Sequence, residues 1–214
     1  MNNSLLSDAV DALNTAVDSL SAKWRNEDVP EPVAPEPPPL AIPDSPPPAD
    51  FIPEPIAALP WAMDIARAWA SDAVLTRIDI GHVDTNGVVI ISGEETTGYR
   101  FASPARQLRW KQETDAGSKS PTRVGLMLQL QGTTVRALVE EGRNSRERPA
   151  PAPEGLLPLP ELLARARTHG VPDRPIYSGY MIPLPGEGWV WYLSAPSGDS
   201  FPRARARDGR TYPY

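Results

Sequence analysis

Thirteen of the chain's 27 prolines fall between positions 30 and 60, and no other feature limits the fold as sharply. Each pyrrolidine ring fixes φ and removes a backbone donor, so a run this dense joins neither helix nor sheet and favours extended, polyproline-like chain. The sequence is thereby cut into an N-terminal segment (1–27), an acidic linker (28–58) and a body. Within the body, a charged, proline-containing connector at 142–156 separates units at 59–141 and 157–214. No Lys or Arg occurs over 27–60, whereas Glu27, Asp28, Glu31, Glu36, Asp44, Asp50 and Glu54 accumulate. Like charges and proline both extend a chain, and at about 3.1 Å per residue the linker spans on the order of 90 Å when stretched. Pro32 and Pro35 have the PxxP spacing, but no basic residue stands beside them, so a spacer is expected rather than a ligand for an SH3-like groove. Phe51, Ile52 and Ile56 are placed to fold back on the body.

Ahead of the linker, Leu6, Val10, Leu13, Val17, Leu20 and Trp24 follow a 4-3-4-3-4 rhythm, which predicts an amphipathic helix with Val at a and Leu at d. Asn3 or Ser4 is positioned to cap it. The flanking e and g sites hold mostly small neutral residues, so the stripe suits packing on the body, homodimerisation or a partner's groove. Asp8, Asp11 and Asp18 on the polar face disfavour an anionic lipid surface.

The chain as a whole has 40% hydrophobic and 22% charged residues, and tryptophans at 61, 69, 110, 189 and 191 place the body among folded domains. A formal charge of −6 argues against general nucleic-acid binding, which needs an excess of Lys and Arg on one surface. Without cysteine there is no disulfide, thiolate zinc site or cysteine nucleophile. No basic n-region opens the chain and no run of 18 apolar residues occurs, so neither a secretory signal nor a membrane span is expected, and the default location is cytoplasmic.

The body reads as α+β. Leu59, Met63, Ala66 and Ala70 share a face of a helix at 59–71, with Pro60 in its first turn. Strands are expected at 74–83, 88–91, 98–102, 108–111 and 123–130, with Asn86-Gly87 as a hairpin turn; 133–139 suits strand or helix. The second unit echoes the first. Leu163-Ala164-Arg165-Ala166 answers Ile65-Ala66-Arg67-Ala68, Ile176 answers Ile78 and Gly179 answers Gly81 at one offset, and the stretch from Trp191 to Pro196 answers that from Tyr99 to Pro104. Two helix-plus-antiparallel-strand units result, with one shared sheet as an option.

That order of elements, the aromatic strand, and the closing Arg205-Ala206-Arg207-Asp208-Gly209-Arg210 together resemble tandem PepSY-like repeats. The resemblance implies an α+β fold and, by the family's associations, a role in inhibiting or regulating a peptidase. It transfers no active residue.

Chemistry-bearing patterns are sparse. His82 and Asp84 lie two apart in a predicted strand without a third ligand nearby, and His169 precedes Gly170 at a helix end, where capping is its natural role. No GxSxG, HExxH, phosphate-loop or dinucleotide fingerprint is present. Arg203, Arg205 and Arg207 alternate with alanine, and as a strand they would set three guanidiniums on one face, ready for an acidic partner or the chain's own linker. Trp189 and Trp191 share a face against the helix near 159–163, and Tyr192 takes the other. The sequence therefore points to a non-enzymatic interaction or adaptor protein without cofactor or metal, binding a protein partner through Leu6, Val10, Leu13, Val17, Leu20 and the three arginines. An enzyme-blocking inhibitor or immunity-type protein is the first alternative, and a small metal-dependent hydrolase built on His82 the second.

Overall fold

A computed structural model describes residues 54–90, 97–118, 122–131, 134–140 and 153–212. The predicted heptad helix, the linker up to residue 53 and most of the connector lie outside the described residues, so Leu6, Val10, Leu13, Val17 and Leu20 are not placed.

Helix α1 (Leu59–Trp69) begins with Pro60 in its first turn, where a missing N–H leaves no bond unmade. Leu59, Ala62, Ile65, Ala66 and Trp69 form its buried stripe. Strands β1 (Val74–Ile80) and β2 (Thr97–Ala102) follow, then α2 (Pro104–Asp115), β3 (Gly125–Gln131) and β4 (Thr134–Glu140). After the connector come α3 (Leu159–Thr168), β5 (Ser178–Leu184), β6 (Gly188–Ser194), β7 (Arg203–Arg205) and β8 (Thr211–Tyr212). The stripe of α3 is Leu159, Leu162, Leu163 and Ala166, and the helix stops at His169 as its sequence implies, with Gly170 next.

All eight strands form one antiparallel sheet in the order β4-β3-β2-β1-β5-β6-β7-β8. Each half of the body is a helix followed by a four-stranded meander running outward from the centre, and the first strands of the two meanders pair: Ile78 faces Met181, Asp79 faces Tyr180 and Ile80 faces Gly179. The sequence echo is not kept residue for residue within the strands. Tyr99 pairs with Ile78 and Trp191 pairs with Met181, so Met181 stands where Ile78 does, while Ile176 bridges Val83 ahead of β5.

Alternation along the strands sends one set of side chains into a single core. Tyr99, Phe101, Leu126 and Leu128 from the first half join Met181, Trp191 and Leu193 from the second, under the stripes of α1 and α3. Each large apolar side chain so buried contributes roughly 1.5–3 kcal/mol. The core also draws in the end of the predicted linker. Pro55 accepts a 2.8 Å hydrogen bond from the hydroxyl of fully buried Tyr99, Ile56 packs on the core as its position foretold, and Glu54 Oε1 accepts the Leu159 N–H at 2.9 Å. Glu54 thus caps α3 from 105 positions away in the sequence.

Two strand expectations fail. Residues 108–111 are helical, because Ser103 Oγ accepts the Arg106 N–H, Pro104 opens the first turn, and Asp72 accepts from both Ser103 Oγ and the Ala105 N–H. The resulting α2 buries none of its residues, and Leu108 is 61% exposed. Residues 88–90 form a single bridge, Val83 with Val89, instead of a ladder. The Asn86-Gly87 turn is present: Gly87 has φ +85, and the Asp84 carboxylate accepts the N–H groups of Asn86 and Val88, each at 2.8 Å. The ambiguous 133–139 segment resolves as β4 from Thr134 onward.

Candidate functional site

The sheet face opposite α1 and α3 carries the most organised polar cluster. Arg77 and Asp79, two apart in β1, project to the same side because strand side chains alternate. Arg100 faces Arg77 from β2, while Gly98 beside Asp79 leaves room for its carboxylate. Asp79 then bridges both cations, accepting from Arg77 Nε at 2.6 Å and from Arg100 Nε at 3.1 Å. The guanidinium of Arg77 lies 4.3 Å from the Tyr180 ring centroid, Tyr180 stacks on Tyr192 at 4.9 Å with planes 7° apart, and Arg203 sits 5.9 Å from the Tyr192 centroid. A ladder of Arg100, Asp79, Arg77, Tyr180, Tyr192 and Arg203 thus crosses five neighbouring strands and spans the seam between the two halves.

Chemically, the ladder is a row of positioned guanidiniums. The Arg77, Asp79 and Arg100 side chains remain 27–30% exposed. Planar guanidiniums fixed by an internal carboxylate and by aromatic rings are pre-organised to bind a further carboxylate or phosphate. Both faces of each tyrosine ring are taken, Tyr180 lying between Arg77 and Tyr192 and Tyr192 between Tyr180 and Arg203.

Of the C-terminal arginines, Arg203 and Arg205 stand two apart in β7 on one face, and Arg207 lies past its end. Strand β7 ends at Arg205, and a turn places Arg207 elsewhere. The turn forms because Gly209 adopts φ +72 and donates to the Arg205 carbonyl at 2.8 Å, while Asp208 binds Arg205 through both Nε and Nη2. Those bonds, the Arg205 hydrogen bond foremost, lower the Asp208 carboxyl to about 2 and raise the Arg205 guanidinium. Only Arg203 joins the ladder. Arg205 and the exposed Arg207 instead line a cavity of about 650 Å³ with Glu154, Leu156, Glu187 and Trp189 at the β5–β6 hairpin.

Among the described residues, no third metal-ligating side chain joins His82 and Asp84. Asp84 serves its turn, the Val88 N–H above all keeping its carboxyl below the usual range, and His82 meets Tyr177 edge-on at 4.6 Å. No group of three metal-ligating side chains stands together among the described residues, and none of their helices is long and apolar enough to cross a membrane. Trp189 and Trp191 are buried on the core side and Tyr192 lies opposite, as strand alternation requires. Sequence reasoning missed Arg77, Arg100 and Tyr180. The i, i+2 spacing of Arg77 and Asp79 was a visible hint, but nothing local joins it to Tyr180.

The chain matches no protein-family model, no curated protein and no solved structure.

Proposed function

We propose that this chain is a non-enzymatic protein-interaction module whose body grips an acidic segment of a partner protein through the Arg–Tyr ladder. The heptad stretch around Leu6 to Leu20 then acts as a docking or self-association helix on the acidic tether. The ladder carries this reading. Its guanidiniums are held in place before any ligand arrives, so little side-chain entropy is lost on binding, and complementary charge favours an acidic partner. Nucleic acid fits less well, since the tyrosine ring faces are already occupied and the chain carries a formal charge of −6.

A fluorescein-labelled hexaglutamate peptide, titrated with the full chain and followed by anisotropy, tests it. Saturable binding that weakens with salt is expected, along with a loss of about tenfold in the double variant Arg77→Gln/Arg203→Gln. Equal binding by that variant, or tighter binding of a single-stranded oligonucleotide, would overturn the reading.

A further inference from the structure

We propose that β4, the outer strand of the first half, is a dimerisation strand that pairs antiparallel with β4 of a second copy of this chain. The seam is separate from the ladder and does not rest on it. The two edges of the sheet are unlike. At one, β8 has only two residues and Pro213 follows it in the sequence, and shortness and proline both guard an edge against added strands. At the other, β4 holds seven residues in unbroken register with β3, without proline, glycine or a bulge, and no strand lies beyond it among the described residues. In an antiparallel pair every second residue turns its N–H and C=O away from its neighbour, so β4 presents a row of main-chain groups to a further strand.

The residues of β4 favour its own copy. Val135, Ala137 and Val139 pack on the core side, whereas Arg136 is exposed and Leu138 is 48% exposed on the other. An antiparallel pair about a two-fold axis through Leu138 sets Leu138 against Leu138, Ala137 against Val139, and Arg136 against Glu140 on both sides of the axis. The apolar row of each core is thereby continued across the seam, the exposed leucines cover each other, and opposite charges face each other twice. Other registers lose this match. An axis at Arg136 or Glu140 sets like charges together, and one at Ala137 or Val139 sets a charged residue against Leu138, so charge fixes the register as well as favouring the pair. Both ladders then face the same side of one continuous sheet, with five strand steps of about 4.8 Å, or about 24 Å, between the two β2 strands.

Sedimentation velocity of the full chain from about 5 to 500 μM, with hydrogen–deuterium exchange at both ends of that range, provides the test. A monomer–dimer equilibrium is expected, and at the higher concentration the amides of β4 should exchange at least about fivefold more slowly while those of β8 stay unchanged. Arg136→Glu and Glu140→Arg should each weaken the dimer by about tenfold, because each sets like charges across the seam. An equimolar mixture of these two variants should associate at least as tightly as the unaltered chain, since their strands then meet with opposite charges at both positions. A chain that stays monomeric up to about 500 μM overturns the proposal. So does a dimer that leaves β4 exchange unchanged, as association through residues 1–27 would, or a mixture that associates no better than either variant alone. The exchange comparison uses the unaltered chain, so it remains decisive even where a substitution prevents folding.

Discussion

Asp208 takes hydrogen bonds from Arg205 Nε and from the Arg210 N–H, and the bond from Arg205 is the main reason its carboxyl falls to about 2. That folded value lies below the roughly 3.9 of an unfolded Asp, so the stabilisation is complete above about pH 5 and is lost as pH falls toward 2. Solvent screening limits the effect. Asp208→Asn is therefore expected to cost about 1 kcal/mol at neutral pH, with the urea midpoints of the two proteins converging as pH is lowered from 5 to 2. A gap that stays constant with pH would show that the carboxylate charge is not what matters. Glu54 acts at the same scale but across the chain, because its carboxylate satisfies the first free N–H of α3. Glu54→Ala should lower stability by about 1–2 kcal/mol, whereas Asp64→Ala, on the exposed side of α1, should change the urea midpoint little. The sequence made Glu54 look like one more charge in an acidic run, since no local pattern reveals a cap whose helix begins so far along the chain.

Among the elements, α2 shows how a local signal is outweighed. Leu108 and Trp110 alternate like a strand, yet Ser103-Pro104 is a helix start, and the Ser103 cap with its Asp72 support determines the outcome. α2 buries no residue, and the contacts that hold it include that cap, the 2.7 Å Arg109–Glu113 pair, the hydrogen bonds from Thr122 to Glu113 and the Arg106 guanidinium 4.7 Å from the Trp69 ring centroid. Ser103→Ala should reduce global stability by about 1 kcal/mol and raise amide exchange throughout α2, readable by hydrogen-exchange NMR. The Asn86-Gly87 turn is the opposite case, a local signal that held. Gly87 is constrained twice, by φ +85 and by the Pro160 backbone at the start of α3, since an added Cβ would lie 2.6 Å from Pro160 Cα. Gly87→Ala should then cost about 2 kcal/mol or more by thermal unfolding, beyond what the backbone conformation alone demands.

For the whole molecule, the β1–β5 pairing makes one core out of two meanders. Neither half keeps both sides of its first strand covered when alone, so a fragment covering 54–140 should fail to fold by circular dichroism, and the full body should unfold in a single transition. Two separate transitions would mean that the seam is weaker than each half. The α+β class, the helices α1 and α3, the Asn86-Gly87 turn and the inward side of Trp189 and Trp191 were all legible, because backbone propensity and side-chain periodicity act over a few residues. Those local rules also indicated that Tyr192 points away from the core. They gave no means of knowing that Tyr180 would stand next to Arg77, or that β7 would end in a turn before Arg207. Periodicity reports which side of a strand a residue occupies; only the non-local register reports its neighbours, and register is fixed by burying both halves in one core. The ladder and the hairpin cavity exist through that register, and so they belong to the tertiary structure alone.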